Sequence, residues 1–239
     1  MHASATIGDN RGMSLEALWP KVPDAVRALA EEWRAAGKEP PASVRVFQEQ
    51  SVDDVIDALS SASSFEEFLQ SDDTNPGASV WVALAVARLK LPLSRPVPDD
   101  IDGGDFLEGD VRDANSFDHS GEGCAVVAGS LDVRRLRVTD SCSFVVAGDL
   151  KARIVRVTGV VIVTGDVTCD LLQVLGSGGI FWVDGTCRTK VLDNPNHFHL
   201  AAKIDAACNV QTLDDAALSA KLAELDIGQD IGAMVRGPR

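Results

Sequence analysis

Residues 124–194 limit what this chain can fold into, because they say one thing four times. CAVVAGSLDVRRLRV is followed by SFVVAGDLKARIVRV, then VVIVTGDVTCDLLQV, then IFWVDGTCRTKVL. Each copy is a short apolar run, a turn at Gly129, Gly148, Gly165 or Gly185, and two further short runs. The glycines stand 19, 17 and 20 residues apart, and a near-constant period of this size marks a solenoid.

Aligning the copies on their glycines predicts the core. Two residues before the glycine stand Val127, Val146, Val163 and Val183, and four before it Ala125, Phe144, Val161 and Phe181. Apolar residues recur two, four, seven and nine positions after it, for example Leu136, Val155, Leu172 and Leu192 at seven. Alternation within a run is the period of a strand with one buried face, and the breaks between runs are corners. Equivalent positions then stack into columns. One copy cannot bury its own face, so about three or more are needed for stability. Glycine at the corner is expected to supply positive φ. Asp149 and Asp166 are expected to bond amides in the turn. Calcium-binding nonapeptide solenoids carry several glycines per turn, whereas this chain carries one.

The expected fold class is α+β: an N-terminal helical domain, a β-solenoid of about four to six coils, and C-terminal capping helices. Residues 1–12 read as peripheral or disordered. In 13–92, Val22, Val26, Leu29 and Trp33 form a helical stripe ending at Gly37. Ser51 with Asp54 and Ser64 with Glu67 read as capping boxes. Asn75, Pro76 and Gly77 read as a turn before a helix apolar on almost every side, for four or five helices in all. Residues 93–105 are a Pro-, Asp- and Gly-rich linker, 106–207 the solenoid with an irregular first coil at Gly109, and 208–239 the capping helices. Those helices are expected to cover the last coil, whose open strand edges would otherwise aggregate.

Net charge is −14, which argues against nucleic acid and anionic membrane as partners. Residues 99–118 hold eight acids and one arginine, half of that net charge. No apolar run reaches the roughly 20 residues of a membrane span, and the first residues lack the apolar core of a secretory signal. The five cysteines form no C-x-x-C pair and read as buried thiols of a cytoplasmic protein. His197 and His199 could face one way from a strand, but no third ligand has metal-site spacing. DDIDGGDFLEGD echoes a calcium loop with glycine and aspartate in reversed order at its fifth and sixth places. No hexapeptide repeat of an acyltransferase, histidine ladder or nucleophile motif is present. The expectation is no enzyme, no cofactor and no metal.

Positions three, five and eight after the glycine point outward. They hold Lys151 and Arg188; Arg134, Arg153 and Lys190; and Arg137 and Arg156. This basic stripe is either a solvated face, a partner of the acidic segment, or a binding face for an acidic ligand or protein.

With the repeats in view, VVAGDLKARIV and VIVTGDVTCDLLQV resemble coils of short bactofilin-like (polymer-forming cytoskeletal type) β-solenoids. They are also similar to coils in proteins encoded beside polymorphic toxins. The resemblance covers roughly residues 106–207. The chain departs from bactofilins in its leading helical domain and trailing helices. What the resemblance then implies is a bacterial immunity protein, a monomer or small homo-oligomer that binds and neutralises a secreted toxin domain with a basic surface. A self-assembling scaffold is the alternative. The expected partner-binding residues are Asp99, Asp100, Asp102, Asp105, Glu108, Asp110, Asp113 and Asp118. In the competing reading they fold back onto Arg134, Arg153 and Arg156.

Overall fold

A computed structural model describes residues 15–47, 51–71, 76–89, 91, 101, 104–120, 122–195 and 203–236. The repeats form a parallel β-solenoid of about five turns over residues 106–209. Successive coils add one strand to each of two sheets. The shorter strands are β1 (Phe106–Leu107), β3 (Gly123–Val127), β5 (Cys142–Val146), β7 (Val160–Val163) and β9 (Ile180–Val183). The longer are β2 (Val111–His119), β4 (Leu131–Val138), β6 (Leu150–Val157), β8 (Val167–Val174), β10 (Thr186–Asp193) and β11 (Lys203–Asn209). The second and third runs of each repeat are therefore one strand, with no corner between them. In β4 two successive residues, Arg134 and Arg135, face outward, so the strand bends without ending.

The inward columns follow the glycine alignment. Val127, Val146, Val163 and Val183 are register neighbours, and all are buried in one cluster with Leu136, Val155, Leu172 and Leu192. The irregular first coil joins the same columns through Leu107, Val111 and Phe117. His119 closes this coil. Its ring is buried, with Nδ1 3.1 Å from the Ile101 carbonyl and Nε2 3.3 Å from that of Gly123.

The repeat glycines have a different reason from the one expected. None of Gly129, Gly148, Gly165 and Gly185 has positive φ. A Cβ on Gly165 would stand 2.7 Å from the Gly148 carbonyl, one on Gly185 2.6 Å from that of Gly165, and one on Gly148 2.9 Å from the carbonyl carbon of Gly129. The corners form a column of glycines in which each backbone lies against the last. The aspartates after them likewise bond across coils, outside their own turns. Asp149 Oδ1 accepts the Asp166 amide at 2.8 Å, and Asp166 Oδ1 accepts the Thr186 amide at 2.7 Å.

The leading helices among the described residues are α1 (Leu15–Leu18), α2 (Val22–Ala35), α3 (Ala42–Phe47), α4 (Val52–Ser61), α5 (Phe65–Gln70) and α6 (Pro76–Ala87), six where four or five were expected. Gly37 closes α2 at φ 63°. Ser51 and Asp54 make both bonds of a capping box. Ser64 makes half of one, because the Glu67 carboxylate takes the Ser63 amide instead. Pro76 and Gly77 open α6 directly, Pro fitting a first helical position whose N–H would lack a partner. These helices cover the outer face of the shorter-strand sheet. Phe106, Val126, Val145 and Ile162 share one apolar cluster with Trp81, Val82, Phe65 and Val44. Asp184 pins the join, accepting from the Ser43 amide at 2.8 Å, from the Ser43 hydroxyl and from Trp182 Nε1 at 3.1 Å.

The trailing helices α7 (Asp215–Glu224) and α8 (Gly228–Arg236) lie over the outer face of the longer-strand sheet. Asp214 caps α7, accepting the Ala217 amide at 2.8 Å. Leu218, Leu222, Ile227, Ile231 and Val235 bury Ile154, Leu171, Val191 and Cys208. They therefore roof several coils from the side, in place of the end cover expected. Burying each such aliphatic side chain contributes about 1.5–3 kcal/mol.

The glycine column is testable. Gly165→Ala should destabilise by about 1–3 kcal/mol through overpacking in chemical denaturation. Gly165→Asn should be no better tolerated than alanine. Were positive φ the requirement, asparagine would be the milder change.

Candidate functional site

The acidic run does not stand out as one free surface. Asp99, Asp100 and Asp102 lie outside the described residues, as do His197 and His199. Asp105 is half-buried, and its backbone carbonyl accepts the Val126 amide at 2.9 Å. Glu108, at the corner between β1 and β2 of the first coil, is only 2% exposed, so its side chain is buried where an exposed carboxylate was expected. Asp110 is exposed, and its Oδ1 accepts the Ser130 amide at 2.8 Å, repeating the inter-coil bond of Asp149 and Asp166. Asp118 meets Arg137 at 3.1 Å. Asp113 is exposed, at φ 56°, inside a bulge of β2 where Arg112 and Asp113 together oppose Asp132 of β4. Asp110 and Asp113 are thus the acids of this run that the described first coil turns outward.

The basic stripe is mostly laced to acids on neighbouring coils. Lys151 meets Asp132 at 2.7 Å, Arg188 meets Asp166 at 3.3 Å, and Lys190 meets Asp170 at 2.8 Å. Arg153 forks onto both oxygens of Asp230 in α8 at 2.7 Å each. Exposed pairs of this kind add little stability singly. Along a ladder they tie the long side chains of one coil to the next. Arg134, Arg135 and Arg156 are exposed and stand outside these pairs. Arg135 was missed in the glycine alignment because it stands six positions after Gly129, where the other copies have Ile154, Leu171 and Val191.

All five cysteines are buried and free. Burial pushes the Cys124 thiol up to about 12, although the Ser79 hydroxyl beside it acts the other way. Cys187, whose thiol is hydrogen-bonded to the Cys169 sulfur and buried, is held well above the ordinary thiol range. These thiols pack the core. Among the described residues, no three His, Cys, Asp or Glu side chains are grouped to hold a metal ion. No described helix is long and apolar enough to cross a membrane. Comparison with protein-family models, with curated proteins and with solved structures gave no match to this chain.

The inter-coil carboxylates carry a pH dependence. The Thr186 amide, and after it Arg188, hold Asp166 below its ordinary value of 3.8. The Arg153 fork does the same for Asp230. A depressed carboxylate adds stability that is complete above its unfolded value and is lost as pH falls through its folded one. Between about pH 5 and pH 2 the wild type should therefore lose more melting temperature than Asp166→Asn or Asp230→Asn. Parallel losses in all three proteins would contradict this.

Proposed function

We propose that this chain is a non-enzymatic binding protein, an immunity protein of the bacterial cytoplasm that binds and neutralises a cognate secreted toxin. It acts by occlusion, through shape and charge complementarity, with no turnover. The observation that carries the reading is the first coil. Its edge strand β2 holds a bulge and a left-handed, exposed Asp113, and its far end is bridged by Ile101. A bulged, charged edge resists pairing with another strand, so this end favours a discrete surface over continuation into a filament. The same end turns Asp110 and Asp113 outward, next in sequence to Asp99, Asp100, Asp102 and Asp105. Carboxylates so placed complement a toxin domain whose active surface is basic, and long-range attraction raises the association rate.

The second reading is a self-assembling, bactofilin-like scaffold. What favours it is the opposite end, where Ile204 and Ala206 of the edge strand β11 are only partly buried against the core.

The binding reading is tested by finding whether a neighbouring gene encodes a secreted toxin domain and co-expressing the chain with it. Growth should be restored. The combined change Asp99→Asn, Asp100→Asn, Asp110→Asn and Asp113→Asn should slow association in a salt-dependent manner while the protein stays folded. Absence of rescue by the wild-type chain would sink the proposal.

A further inference from the structure

The outer face of the longer-strand sheet changes character where its helical roof ends. On β6, β8 and β10 the roofed column is Ile154, Leu171 and Val191. The next position in that column, on β4, is Arg135, which is exposed. Two residues on, Arg137 of β4 is the register neighbour of Arg156 on β6, and both are exposed. Arg134 stands beside Arg135 at the bend of β4. The roof therefore gives way to four arginines on two adjacent strands.

Their charges are not compensated as those of most bases on this sheet are. Lys151, Arg153, Arg188 and Lys190 each have a carboxylate partner. Arg137 has Asp118. Arg134, Arg135 and Arg156 have no ion-pair partner among the described residues. The strand neighbour of Arg156 on its other side is Gln173, whose amide donates to Asp193 at 2.9 Å. Like charges on neighbouring strands destabilise a sheet. In a chain with 36 acids to 22 bases, three uncompensated guanidinium groups at one place are an exception. Arg134 also lines a shallow groove of about 540 Å³ whose other charged walls are Asp113, Asp132, Lys151, Arg153 and Asp170.

We propose that Arg134, Arg135 and Arg156 form a docking surface for a short acidic protein segment, whose carboxylates the guanidinium forks take up. Planar forks match carboxylates in a two-point geometry that lysine lacks. A nucleic acid or an anionic bilayer brings charge far beyond the patch, against a net −14. A segment bearing a few carboxylates is attracted locally, within a screening length of about 8–10 Å. This surface lies on β4 and β6 beside the acidic first coil, and it does not depend on the toxin reading.

The test uses the full chain and a fluorescein-labelled hexaglutamate peptide, read by fluorescence anisotropy at about 0.01–0.02 M salt, where screening is weak. Arg134→Gln, Arg135→Gln and Arg156→Gln are combined in one variant. The wild type should bind at least about tenfold more tightly than the variant, and high salt should abolish the difference. The variant should melt at or above the wild-type temperature, since repulsion has been removed. Equal binding by the two proteins would overturn the proposal. So would tighter binding of a labelled ten-residue oligothymidylate than of the peptide, which would make the ligand a phosphate backbone. So would self-association of the wild type that the variant lacks, or peptide affinity that rises when Asp99, Asp100 and Asp102 become Asn, which would place the acidic segment in a second copy or in this chain itself.

Discussion

The close approach of one coil to the next at the glycine corner is the constraint on which the rest depends. With a Cβ on Gly165 or Gly185 the preceding glycine carbonyl would be under 3 Å away, so the coils could not close to strand-pairing distance there. Once they close, register follows. Val146 meets Val127 on one side and Val163 on the other, and the remaining inward columns fall into line. The aspartate one residue beyond then reaches the amide of the next coil, where Asp149 bonds Asp166 and Asp166 bonds Thr186. Packing and hydrogen bonding at the corner thus select one stacking of the repeats.

A solenoid of this size leaves two wide sheet faces, and this chain covers each with its own helices. The leading helices bury Val126, Val145 and Ile162, with Asp184 capping the first turn of α3 through Ser43. The trailing pair buries Ile154, Leu171 and Val191, with Arg153 forked onto Asp230 beside it. What stays outside is the charged relief of the first coils and the bend of the long strands. Inter-coil ion pairs tie that relief from one coil to the next.

The inward columns were legible because the glycines align the copies without ambiguity. The lateral cover was legible only in part. The runs CAVV, FVV, VVIV and IFWV are apolar at consecutive positions, the pattern of strands buried on both faces. Read as simple alternation, they hide the row from Val126 to Ile162 that the leading helices cover. Ile154, Leu171 and Val191 carry the same signal six positions after the glycine, where Arg135 breaks it. The acidic run was harder to read. Charge density alone does not distinguish Glu108, which is buried, from Asp113, which a bulge turns outward, because the difference arises from where the first coil meets the second. The φ of the corner glycines was likewise out of reach, since a turn and a close approach select the same residue.

The central claim is that the bulged, charged first coil keeps this solenoid from continuing into a filament. Light scattering coupled to size-exclusion chromatography tests it most directly. The account predicts a mass that stays at 25.3 kDa, or at a small fixed multiple of it, as concentration rises. A mass that climbs with concentration, or filaments that sediment, would contradict it.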